Sequence, residues 1–178
     1  MPPYLALALA ENHFAVQHRA TFAMACFWEG EARLGGIEGV VATRPVYLAG
    51  REAVSVTYDE TRVPFERLVR EAARLDCAER VWVADERRLA IARGVVGTRA
   101  ERSQDAGSEA GEGDRQHDLG HSPLRALTLT PMQATHVNAA LHVGSDPLRW
   151  LSPRQREQAA RLGAGAATAS HAAASCKR

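Results

Sequence analysis

Aromatic residues make up only 6% of this 178-residue chain, there are three cysteines, and the formal charge sums to +1. Charge so nearly balanced gives no global case for a nucleic-acid partner or for an anionic membrane surface. No apolar run is long enough to span a bilayer. The apolar stretch 4–10 is short and no basic residue precedes it, so a secretory signal is not expected. Three cysteines, odd in number and far apart, do not make a disulfide scaffold. The expectation is a cytoplasmic protein with reduced thiols, which leaves a redox or nucleophilic role open for at least one of them. Metal chemistry has little support. His117 and His121 are four apart, but no cysteine or carboxylate spacing accompanies them, and a solvated helical face is expected there. Gly35-Gly36 lacks the context of a phosphate loop. Arg67, Arg70 and Arg74 share a helix face that Glu66 and Glu71 dilute, again a solvated surface. The abundance of Ala and Arg has the character of a high-GC bacterial protein.

What is present centres on residues 20–31, Ala-Thr-Phe-Ala-Met-Ala-Cys-Phe-Trp-Glu-Gly-Glu. Period-two alternation puts Phe22, Met24 and Cys26 on one strand face. Glu29, Glu31, Ala32 and Leu34 then suit a helix, which Gly35-Gly36 is expected to stop. Cys26 stands at the junction, where unpaired N–H groups and the positive end of the helix dipole favour a thiolate. Phe27 and Trp28 are placed to wall an apolar pocket beside the sulfur. A buried structural cysteine is the competing reading, since free Cys is among the most buried residue types.

Along the rest of the chain, residues 1–19 form a lead-in without an assignment. Residues 20–97 form an α+β core. The pattern predicts strands over 21–26, 40–48, 52–58 and 80–83, with helices over 27–34 and 64–75. Pro45 marks an edge or a bulge in the second strand, and Pro64 suits the first position of the second helix. The resulting order, β-α-β-β-α-β, matches a ferredoxin-like split βαβ arrangement. Two helices on one face of an antiparallel sheet would bury Leu34, Val54, Val56, Leu68 and Val81 together. A further helix is expected over 85–96. Residues 98–122 are polar, rich in Gly, Ser and Glu and without periodicity, and read as a mobile loop. In the helical extension 123–163, Thr130-Pro-Met-Gln133 and Ser152-Pro-Arg-Gln155 each carry a hydroxyl N-cap, a proline and a third-position glutamine. Each is a capping box. The small-residue segment 164–178 reads as a flexible tail carrying Cys176.

Ala25-Cys-Phe-Trp28 resembles the Gly-Cys-Phe-Trp signature of the peptide methionine sulfoxide reductase A family, with Ala25 for glycine. Glu31 falls where that family often has an acidic residue. Gly39-Val-Val-Ala-Thr43 followed by Tyr47, Glu52-Ala-Val-Ser-Val-Thr-Tyr-Asp59 and Val63-Pro-Phe-Glu-Arg-Leu68 are similar to its next three segments. Gln116-His-Asp-Leu119 is a fainter echo of a late Gln-x-Tyr-Leu segment. The likeness covers about 21–75 well and 76–123 weakly, and ends there. The family's long polar loop before the fourth strand, which supplies an Asp and a Tyr to the sulfoxide pocket, has no counterpart in Leu75-Asp-Cys-Ala-Glu-Arg80. A second pocket tyrosine is also missing.

The resemblance implies that Cys26 attacks a sulfoxide sulfur, that Glu52 protonates the oxygen and that Phe27 and Trp28 hold the methyl group. Independently, Glu52 has the strand parity of Val54 and Val56, and partial burial there would keep its proton available. A solvated glutamate beside Arg51 is the competing reading. The product on Cys26 is a sulfenic acid, which condenses with a second thiol. Cys176 and Cys77 are the candidates for that resolving role, against an incidental tail thiol and an interior helix-end residue respectively. Asp76 or Glu79 could replace the lost pocket acid. No resident cofactor is expected. An external dithiol such as thioredoxin would recharge the site, and the substrate would be methionine sulfoxide, free or in peptides. The alternatives are a redox-sensing or binding module with little turnover, or reduction of another oxidised substrate such as a peroxide.

Overall fold

The computed structural model describes residues 1–12 and 16–164. Its centre is a six-stranded sheet made from β1 (Gln17–Ala23), β2 (Val40–Leu48), β3 (Arg51–Asp59), β4 (Arg80–Val83), β5 (Ala100–Arg102) and β6 (Ser108–Glu109). The spatial order is β5-β4-β1-β3-β2-β6. β1 pairs antiparallel with β3 and β4, β2 with β3 and β6, and only β5 runs parallel to its neighbour β4. The sheet is therefore mixed, and the fold is α+β.

Alternation decides what each strand buries. Val54, Val56 and Tyr58 of β3 join Phe22 of β1 and Val81 of β4 on one face, all essentially without exposure. Helices α2 (Phe27–Gly35), α3 (Phe65–Arg74) and α4 (Glu86–Val96) cover that face. The expected companions Leu34, Val54, Val56, Leu68 and Val81 do share this core. Burying a Val or Leu fully contributes about 1.5–3 kcal/mol, so the face supplies most of the drive to fold. The opposite face holds only a small cluster of Ala23, Val46, Leu48, Ala53 and Trp82.

Several local expectations change. β1 begins at Gln17, inside the unassigned lead-in, and ends at Ala23 rather than at Cys26. A helix α1 (Pro3–Asn12) precedes it. Pro64 is the N-cap of α3 rather than its first residue. Gly35 and Gly36 do not end α2 by a left-handed turn. Gly35 is still helical and Gly36 has φ −77°. A Cβ on Gly35 would lie 2.9 Å from the Thr135 methyl, so this glycine serves close helix packing.

Residues 98–122 are the largest correction. The absence of periodicity suggested no regular structure, but the segment contains β5, β6 and the short helix α5 (His117–Gly120). Strands of two or three residues carry too little alternation to read. Pro45 marks neither a sheet edge nor a bulge, because β2 lies between β3 and β6 and Pro45 stays in regular register opposite Val54. The Pro45 carbonyl accepts from Ala110 N–H at 3.1 Å, and a register shift lies between Val40 and Ala42.

Both capping boxes are present, at the starts of α6 (Pro131–His142) and α7 (Pro153–Arg161). Leu119, Leu124, Val137, Leu151 and Ala159 form a second core under the C-terminal helices. No helix among the described residues is long and apolar enough to cross a membrane.

Candidate active site

The site is built where β1 stops and α2 starts. Cys26 has extended dihedrals and is the N-cap of α2, but its side chain makes no capping hydrogen bond. A thiol is a weak acceptor, so the first free N–H of the helix needs another partner. Glu52 supplies it. Phe27 N–H donates to Glu52 Oε2 at 3.0 Å. Strand pairing makes this possible. Ala23 stands opposite Ala53, and Met24 N–H reaches the Glu52 carbonyl at 3.3 Å. The two strand ends therefore bring Glu52 to the residue after Cys26. Glu52 lies on the face its parity indicated and is half-buried. Cys26 is buried at 7% exposure and is disulfide-bonded in this structure. Gly30, one turn into α2, allows Met24 to lie directly beneath the helix: a Cβ there would meet Met24 atoms at 2.7–2.8 Å.

Phe27 and Trp28 do form an aromatic wall, with ring centroids 6.2 Å apart. Three further residues join it that sequence reasoning did not place there. The Tyr47 ring lies 5.4 Å from Phe27. It sits opposite Glu52 across the β2–β3 hairpin, whose two turn residues Ala49 and Gly50 both have positive φ. A two-residue turn of that type sets the register, so the pairing was readable once the turn length was known. Asp114 accepts from Trp28 Nε1–H at 3.1 Å. His117 stacks on the Trp28 ring at 4.3 Å, with His121 4.3 Å beyond it. The two histidines are thus not simply a solvated face. Burial first, and then the neighbouring His121, push the His117 pKa down. No short-range pattern connects 28 with 114 or 117, which left these contacts invisible in the sequence.

Glu31 is the third polar element. It is 1% exposed, and burial pushes its pKa up to about 8. Its carboxyl accepts from Gln116 N–H at 2.6 Å and from the Thr43 hydroxyl at 3.4 Å. Gln116 adopts a left-handed φ of 46°, which turns the chain so that the next residue, His117, meets Trp28.

Cys77 has a structural explanation. Asp76 has φ +56°, Asp76 N–H donates to Ala73 and Cys77 N–H to Ala72. This is a Schellman stop for α3, with Cys77 as its buried apolar residue. Cys77 is a free thiol at 1% exposure, and burial pushes its pKa up to about 11. Cys176 lies outside the described residues. Among the described residues, the Asp76 and Glu79 side chains make no hydrogen bond or ion pair with the aromatic wall, and Glu79 faces Arg51 at 3.8 Å. Among the described residues, no group of three or more His, Cys, Asp and Glu is arranged to hold a metal ion.

The mixed sheet, the helices on one face and the strand-to-helix cysteine have counterparts among known proteins. The methionine sulfoxide reductase A of Corynebacterium diphtheriae is similar over 72% of this chain and 84% of that chain, with a TM-score of 0.52 at 18% identity. No family model matches the chain. The peptide methionine sulfoxide reductase of Geobacter metallireducens is 35% identical over 69 residues, 29% of this chain and 43% of that protein. The chain thus spans less than half the length of this curated relative. The solved structure shows a shared fold, and the sequence likeness to the curated relative is confined to those 69 residues.

Proposed function

We propose that this chain is a thiol-dependent oxidoreductase that reduces the S epimer of methionine sulfoxide, free or in peptides. The observation that carries the reading is Glu52 bound to the first free N–H of the helix that Cys26 caps. That contact brings an acid, a nucleophile and the aromatic pair Phe27–Trp28 to one junction. In the reduced protein, the Cys26 thiolate attacks the sulfoxide sulfur while Glu52 delivers a proton to the oxygen. The new bond between the Cys26 and substrate sulfurs and the substrate sulfur–oxygen bond then break as the oxygen passes to the Cys26 sulfur, and methionine leaves. The oxygen and proton remain on Cys26 as a sulfenic acid. A second thiol then displaces water and forms a disulfide, and an external dithiol such as thioredoxin restores both thiols. Cys176 is the first candidate for the second thiol and Cys77 the other. Burial and a raised pKa at Cys77 favour Cys176. The strand order β4-β1-β3-β2, with α2 and α3 on one face, supports reading the core as a ferredoxin-like split βαβ pair.

Steady-state oxidation of a dithiol by methionine sulfoxide tests the activity. Peptide mapping after one equivalent of sulfoxide tests the resolving step. The expected bridge joins Cys26 to Cys176, and a Cys26–Cys77 bridge would pass the role to Cys77. A second reading, a redox-sensing module with little turnover, draws on the brief connection 75–79 between α3 and β4. Single oxidation of Cys26 without sustained dithiol consumption would favour it.

A further inference from the structure

A groove of about 400 Å³ lies across β1, β3 and β2, where Arg19, Thr57, Ser55 and Arg44 line it, and is bounded by the first turn of α6 and by residues from 106 to 116. Cys26 and Glu52 do not line it. Its charge is unbalanced. Arg19, Arg44 and Arg115 line the groove. Glu109 pairs with both Arg44 and Arg115, which leaves one carboxylate for two guanidinium groups. Arg19 makes no ion pair among the described residues. Glu31 also lines the groove, and because burial holds its pKa near 8 it adds little negative charge at neutral pH.

Hydrogen bonding is unbalanced in the same place. Two buried side-chain atoms lack a partner among the described residues, Arg115 Nε and Thr135 Oγ1, and both residues line this groove. Thr135 is 1% exposed, and its methyl rests against Gly35. Folded proteins rarely leave a buried polar atom unpaired. Both atoms donate, and both stand among surplus positive charge. The apolar side chains of Val46, Leu129 and Ala134 also line the groove. The volume lies in the range of small-molecule pockets and exceeds what a bare inorganic ion needs.

We propose that this groove binds a small organic anion, with a carboxylate or phosphate group taken by Arg19, Arg115 and the Thr135 hydroxyl. A short apolar body would lie along Val46, Leu129 and Ala134. Nothing in this site depends on thiol chemistry, so its test needs no turnover.

Calorimetric titration of the full chain with succinate, glycerol phosphate and inorganic phosphate, at constant ionic strength with chloride as the reference, tests it. At least one organic oxyanion is expected to bind saturably and more tightly than inorganic phosphate. Whether that probe is succinate or glycerol phosphate identifies the head group. Thr135→Val preserves shape and removes the hydroxyl, and Arg19→Gln removes an exposed charge. Each is expected to weaken Kd by about tenfold or more, as for the loss of one hydrogen bond to a charged group. Thermal melts without ligand report whether each variant folds, and Arg19→Gln, at the surface, retains the test if Thr135→Val does not fold. No saturable binding by any probe, heats equal to those of chloride, or affinity unchanged in Arg19→Gln would overturn the proposal and leave the groove to water.

Discussion

At the scale of residues, the junction separates two jobs that one side chain usually combines. An N-cap residue normally accepts a hydrogen bond from its own helix, but Cys26 leaves that to Glu52. Cys26→Ser is expected to abolish sulfoxide-dependent dithiol oxidation while keeping the fold, because a hydroxyl is nearly isosteric and far less nucleophilic. Full activity would remove Cys26 from the mechanism. Glu52→Gln preserves an acceptor for Phe27 N–H and loses the transferable proton. Turnover should fall by about 10²–10⁴-fold with the circular dichroism spectrum unchanged. An unchanged rate at every pH would reassign Glu52 to helix capping alone. The connection 75–79 between α3 and β4 is also too brief to hold the polar loop of the reductase family that the sequence resembles. Each missing hydrogen bond to a buried sulfoxide oxygen costs roughly 1–3 kcal/mol, so low efficiency from weak binding is expected on free methionine sulfoxide. Handedness should survive, because Cys26, the Glu52 carboxyl and the Phe27–Trp28 wall meet at one junction. Assays of separated epimers that found equal reduction of both would sink this pocket geometry.

At the scale of elements, the two capping boxes prove to be one unit. Gln133 and Gln155 each accept from their own N-cap N–H, at 3.2 and 2.9 Å. Their side-chain amides also bond each other reciprocally, at 3.0 and 3.1 Å. Gln133 further donates to the Trp150 carbonyl at 3.1 Å and Gln155 to the Thr128 carbonyl at 3.0 Å. Capping alone would accept glutamate at either position equally well. The reciprocal pair does not, because a carboxylate has no donors for Trp150 or for its partner amide. Gln133→Glu should therefore cost about 1–3 kcal/mol in urea unfolding. In a double-mutant cycle with Gln155→Glu, the two changes should be non-additive by about 0.5 kcal/mol or more. Strict additivity would mean that the helix starts are independent.

For the whole molecule, two buried groups set opposing pH dependences. Glu31 has a folded pKa near 8 against an ordinary 4.5, so the native state holds a proton that the unfolded chain releases. Its contribution is full below about pH 4.5 and is lost as pH rises through 8. His136 is the reverse. Burial lowers it to about 4, with Arg62 nearby adding to the effect, and it stacks on Trp150 at 4.6 Å. Its contribution is full above 6.5 and is lost as pH falls through 4. The windows overlap and partly cancel between 4.5 and 6.5. Above 6.5 only Glu31 of the two still acts, and stability should decline by on the order of 2 kcal/mol by pH 8. Glu31→Gln keeps an acceptor for Gln116 N–H and should abolish that decline. Urea melts at a series of pH values measure both slopes, and a wild-type stability flat from pH 6.5 to 8 would contradict the burial of Glu31.

Sequence alone determined the features that rest on neighbours along the chain. Alternation in 52–58 identified β3 and its buried face, helical spacing identified α3, and hydroxyl-x-x-Gln identified both N-caps, because each of these is a local property of backbone geometry. The Cys26 junction and the parity of Glu52 were legible for the same reason. Tertiary structure alone decided what closes around that junction. Asp114 and His117 reach Trp28 across more than eighty residues. Their segment is pinned by Glu31 through a single backbone N–H, and its edge strands are too short to show a period. Contacts of that kind depend on how the chain returns to the sheet, and loop closure at such separations leaves no trace in composition or spacing.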